Sequence, residues 1–178
     1  MLKFIMSLLP ETVADLTEIV LCDSGAAMQA HRELFRFSRN AYLPVYESDG
    51  NACDALPSLQ KLVEACNASP ACPARIHVAA GWENILRVAA WKADLASVND
   101  IFIVLRNAGV MESELKPFAG SQVADLFPFF YYGKRLDVLK RLCRIACRQI
   151  ESRIRMGGVR ADCHLILEDA PRIVASSL

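Results

Sequence analysis

Two long stretches with helical spacing dominate this chain and limit what it can become. "GWENILRVAAWKADLASVNDIFIVLRNAG" carries Ile85, Leu86, Val88, Ala89 and Trp91 on a first helix, and Val98, Ile101, Phe102 and Leu105 on a second. Apolar residues three and four apart mark one buried face of a helix. Gly109 then supplies a stop. "QVADLFPFFYYGKRLDVLKRLCRIACRQIESRI" repeats the plan, with Gly133 at the joint and Gly157-Gly158 at the end. Aligning Ala93 with Gly133 and Val98 with Val138 gives an offset of 40 residues, a weak internal similarity between two helical hairpins.

The rest of the chain is more mixed. "PETVADLTEIVLCDSG" ends in the turn signal Asp23-Ser24-Gly25. Its Thr17–Cys22 part suits a strand, although Val13, Leu16 and Val20 keep helical spacing, so both readings stand. Met28 to Ser38 reads as an amphipathic helix, and "YLPVYESDGN" as extended chain and turn. A further helix covers Leu56 to Cys66. Near the end, Cys163 to Leu167 is strand-like and is followed by a tail.

Composition excludes several classes. Hydrophobic residues make up 53% of the 178 and charged ones 22%, enough to bury a core and too apolar for disorder. Formal net charge is zero, so no whole-chain field steers the protein to nucleic acid or membrane. "MLKFIMSLLPE" has too short an apolar run for a signal peptide and no cleavage site, and no run reaches the ~18 residues of a membrane span. The expectation is an intracellular protein, cytoplasmic or nuclear. Seven cysteines, an odd number in mostly apolar helical settings, suggest reduced, buried thiols.

Taken together, Ile19 to Leu43, "IVLCDSGAAMQAHRELFRFSRNAYL", resembles the start of a BTB/POZ domain. That pattern is a β-hairpin, then an apolar-x-Ala-His-Arg segment, a Ser and an aromatic, matched here by Met28, Ala30, His31, Arg32, Ser38 and Tyr42. "DALPSLQKLVEAC" and "ENILRVAAWKADLASVNDIFIVL" are similar to the family's third helix and closing helical hairpin. The resemblance implies an α+β, mostly helical fold with a small sheet and helical hairpins. It places a BTB/POZ-like domain at 1–110, with a helical extension and tail over 111–178. It also implies a protein-interaction module: a homodimerising adaptor or scaffold for a protein partner, not an enzyme. Some family members recruit substrates to a cullin scaffold through an apolar-x-Glu signature. Leu56-Pro57-Ser58 stands in that place without the Glu, which weighs against cullin binding. In the family the His is structural, so His31, Arg32 and Ser38 are taken as a structural motif. The rival fold is an all-α, ankyrin-like helical repeat, a scaffold binding its partner in a groove.

Candidate chemistry is sparse. No Gly-rich phosphate loop, His-Glu-x-x-His or Gly-x-Ser-x-Gly occurs, so no catalytic, cofactor or metal residues are expected. Cys143, Cys147, Cys163 and His164 could make a zinc site, but Leu139, Cys143, Ala146 and Ile150 form one apolar stripe, which favours core packing. Lys134 to Arg160 holds nine basic residues against two acidic ones, with Arg141, Arg144 and Arg148 on one helical face. A solvated face is the better reading than a nucleic-acid site. In "FPFFYYG", Phe127, Phe130 and Tyr131 suit core or interface. Ser176-Ser177-Leu178 is too short a match to a carboxylate-capture or peroxisomal tail to build on. The near-continuous apolar start, Leu2, Phe4, Ile5, Leu8 and Leu9, is expected to form a homodimer interface or else a first core helix.

Overall fold

The computed structural model describes residues 17–46, 50–68, 72–95, 98–155 and 157–178. Glu18–Cys22 (β1) is an extended run whose last four residues are buried. Burial on both faces is the mark of an interior parallel strand, which reads as continuous rather than alternating apolar sequence. Arg75–Ala80 (β3) and Arg160–Leu167 (β4) share that character. With Tyr42–Pro44 (β2) and Arg172–Ser176 (β5) they form one sheet in the order β2-β1-β3-β4-β5. All neighbours are parallel except β4 and β5.

Side-chain alternation splits the sheet's surroundings into two unequal layers. Ile19, Leu21, Ile76, Val78, Ala80, Ala161, Cys163 and Leu165 face the larger core. That core is closed by Leu56–Ala68 (α2), Trp82–Ala90 (α3), Phe102–Asn107 (α4), Glu112–Leu115 (α5), Leu126–Tyr132 (α6) and Leu136–Glu151 (α7). Val20, Cys22, Ala79 and Ile166 face the other way, toward Ala27 and Ala30 of Gly25–Leu34 (α1).

The architecture is therefore α+β with a mixed sheet, and the sheet rules out the all-α alternative. Ile19–Cys22 is strand, not helix. Both of its neighbours are parallel, so the hairpin expected at this point is not formed by β1. The expected tail after Leu167 is instead β5, and 111–178 supplies three helices and two strands of the same unit.

α1 begins where Ser24 caps it, its Oγ accepting from Ala27 N at 3.1 Å. It stops at Leu34, short of the expected Ser38, because Phe35 turns extended and its N–H donates back to the His31 carbonyl. In extended chain, residues two apart share a side, and here the Phe35 and Phe37 rings both lie on the face of His31. α7 buries Val138, Leu139, Leu142, Cys143, Ala146, Cys147 and Ile150 at helical spacing against α3 and β4. Arg141, Arg144 and Arg148 point to solvent, with Arg141 beside Asp137 at 3.4 Å.

Five cysteines are free, but Cys66 and Cys72 are bridged, their Cα atoms 4.9 Å apart. This corrects the expectation of uniformly reduced thiols. The pair is local, tying the end of α2 to the chain entering β3, and an overall count does not expose one local pair. No helix among the described residues is long and apolar enough to cross a membrane.

Phe130 is the largest fully buried side chain and packs on Trp82 at 6.0 Å. Phe130→Ala is expected to cost about 3–5 kcal/mol in urea denaturation. Leu34→Ser, at a position 66% exposed, should stay within about 0.5 kcal/mol.

Candidate functional site

The carboxyl ends of β1, β3 and β4 lie side by side, and each is followed at once by a residue with a role there: Asp23, Gly81 and Glu168. β1 has β2 on one side and β3 on the other, so the chain leaves it in one direction and returns across it. Such a reversal opens a crevice beyond the strand ends of a parallel sheet.

Asp23 is fully buried. Its Oδ2 accepts from Gly81 N at 2.7 Å and from Asn84 Nδ2 at 2.8 Å. Oδ1 makes no hydrogen bond of ordinary geometry. Asn84, on the first turn of α3, is the hub: Nδ2 also donates to Cys53 O at 2.8 Å, and Oδ1 accepts from Ala55 N at 3.2 Å. The Glu168 carboxylate occupies the space that a Cβ on Gly81, 3.7 Å from Asp23 Oδ2, would take, so any larger residue there would displace it. Glu168 thus lies directly over the buried Asp23.

Around these groups is a cavity of about 590 Å³, walled by Trp82, Phe127 and Ile166 and by the acidic Asp54, Glu83, Glu168 and Asp169. Trp82 and Phe127 sit 5.6 Å apart. Arg87 also lines it, but its guanidinium is committed to Glu83 at 3.2 Å, Asn84 Oδ1 at 3.3 Å and Ala93 O at 3.1 Å. Burial pushes the Asp23 carboxyl above its ordinary range against the pull of its hydrogen bonds. Glu168 is also raised, by burial first and then by Asp23, Asp169 and Glu83.

A second polar cluster lies on the α1 face of the sheet, where β3 carries His77 and β4 carries His164. Among the described residues only His31, His77 and His164 bring metal-binding atoms together as a trio, with one atom of each within 4.8 Å of the others. Burial lowers all three imidazoles, His31 to about 4 and His164 to about 3.

Of the residues singled out in the sequence, Phe127 lines the cavity, and those of the structural motif fall elsewhere. His31 is buried in α1, Arg32 is exposed with its guanidinium 4.9 Å from the Tyr42 ring, and Ser38 precedes a single 3-10 turn. Leu2, Phe4, Ile5, Leu8 and Leu9 lie outside the described residues. Cys143, Cys147 and Cys163 belong to the large core, whereas His164 points to the opposite face, so alternation along β4 separates Cys163 from His164 as ligands. Burial pushes the Cys143 thiol up to about 12. Asp23 is legible in sequence only as a turn residue, and Gly81, Asn84 and Glu168 carry no motif. His77 is the one polar residue of the otherwise apolar run Ile76–Ala80, a signal that a strand reading of that run would have exposed.

Comparison with family models, with curated proteins and with solved structures gives no match for this chain.

Asp23 sets a pH dependence. Its folded value is above the unfolded one, so the stability it contributes is full below the unfolded carboxylate range and falls as pH rises through the raised value. Asp23→Asn keeps an acceptor for Gly81 and Asn84 without the charge. The variant should gain on the wild type as pH rises from 4 to 7.5 in urea melts, by at most about 1.4 kcal/mol per pH unit.

Proposed function

We propose that the chain binds a small organic cation, an amine or guanidine with an apolar portion, in the cavity beyond β1, β3 and β4. The observation that carries this is the cavity's charge: four carboxylates line it, and the one guanidinium is already paired. Its place at a reversal of strand order and its size both suit a small-molecule site. The Trp82 and Phe127 rings offer an apolar wall and faces that attract a cation. Burial first and the neighbouring carboxylates next disfavour charge on Glu168, and a bound cation would offset the second of these.

Titration calorimetry with spermidine, arginine and benzylamine tests this, with Mg²⁺ and glutamate as contrasts. At least one amine should bind saturably, and Glu168→Gln should weaken it by tenfold or more, the share of one charge-assisted contact worth ~1.5–3 kcal/mol. Unchanged affinity in that variant, or binding of Mg²⁺ alone, would defeat the reading.

A second reading keeps the dimerising adaptor that the BTB/POZ resemblance implies. It is favoured by large apolar side chains left in water: Ile103 at 73%, Met111 at 64% and Tyr132 at 78% exposure. In sedimentation at tens of micromolar this reading expects a dimer that Ile103→Glu with Tyr132→Glu converts to a folded monomer. A monomeric wild type counts against it.

A further inference from the structure

We propose that His31, His77 and His164 form a buried site for one Zn²⁺-class transition-metal ion. The sequence contains three histidines, and the fold brings all of them to one place from α1, β3 and β4. His77 Nδ1 and His164 Nε2 lie 3.2 Å apart, although the residues are 87 positions apart in the chain. Two imidazole nitrogens around a tetrahedral ion with metal–nitrogen bonds of 2.0–2.1 Å sit roughly 3.4 Å apart, so this pair already has the required spacing.

Two of the three outer nitrogens are held as ligating histidines require. His31 Nδ1 is 3.1 Å from the Tyr42 hydroxyl, which itself donates to Phe35 O at 3.5 Å. That relay assigns the His31 proton to Nδ1 and leaves a bare lone pair on Nε2. His164 Nδ1 meets Ser176 Oγ at 3.1 Å, which frees its Nε2 for the cluster. Oxygen partners on the non-ligating nitrogen are the usual means of fixing ring tautomer and aim.

Simple packing accounts for less. A hydrogen bond between His77 and His164 explains their contact, but His31 Nε2 remains buried with no hydrogen-bond partner. Leaving such an acceptor unsatisfied is costly, and an ion at its lone pair removes the cost. His77 Nε2 is likewise buried without a hydrogen bond.

Three neutral imidazoles with no carboxylate or thiol among them select borderline ions such as Zn²⁺ or Co²⁺ over Mg²⁺ or Ca²⁺. Three protein ligands leave a fourth position for water or an added anion. Asp162 lies on the same face as the register partner of His77, with its carboxylate paired to Arg75 at 3.1 Å. Phe35 and Phe37 roof the cluster, with ring centres 5.1 Å from His164 and 5.0 Å from His77 respectively.

The test is to strip the full chain with chelator, add one equivalent of Zn²⁺ or Co²⁺, and follow it by native mass spectrometry and X-ray absorption. One ion per chain is expected at micromolar protein, in a shell of nitrogen and oxygen without sulfur. Tyr42→Phe leaves the ligands in place but breaks the relay, and it should weaken binding by about tenfold to a hundredfold while the chain stays folded. Failure to retain any ion overturns the proposal. So does a sulfur-containing shell, which would place the ion on the free cysteines, or a Tyr42→Phe chain that is folded and binds as tightly as the wild type.

Discussion

Everything in this fold leans on the hydrogen-bonded placement of β3 between β1 and β4. A parallel strand with both edges paired has its backbone groups satisfied in the sheet, and the crossover connections that parallel pairing needs lay cover over both faces. Two layers of cover follow, and the chain supplies them unevenly. Six helices close one face, while α1 and a few rings close the other. The cavity and the histidine cluster both arise from polar residues on or just beyond the three interior strands, where an unpaired atom cannot be left to solvent.

The longer helices were legible in sequence because they have enough turns for an apolar stripe to repeat. α3 and α7 lie where the spacing of Ile85, Leu86 and Val88, and of Leu139, Cys143 and Ala146, places them. The strands were legible only in part, Thr17–Cys22 as strand or helix and Cys163–Leu167 as strand-like, for the reason that makes them interior. Ile19–Cys22 is apolar on both sides, so no alternation separates it from a turn of buried helix. Ile76–Ala80 is also short, and it follows a proline-rich stretch. Parallel pairing leaves no local trace, because β1 meets β3 and β3 meets β4 across long connections without a tight turn.

The candidate sites were harder to see than the fold. Asp23 stands in a turn, Gly81 at a helix start and Glu168 at a strand end, each an ordinary residue for its place. Their meaning comes from three strand ends being brought level. His31 was noticed for its local pattern and proved to be buried, yet its neighbours in space come from β3 and β4. Spacing within a helix is written locally, and convergence across a sheet is not.

The position of β4 has a consequence for the growing chain. The strand lies inside the sheet but is made only after the whole helical layer between Trp82 and Glu151. Until Arg160–Leu167 emerges from the ribosome, β3 presents a bare edge of unpaired N–H and C=O groups, the kind that recruits another chain. The interval before Arg160–Leu167 is made is therefore when this sheet is most exposed to aggregation. A nascent chain halted before residue 160 is a substrate for chaperones rather than a smaller version of the native unit.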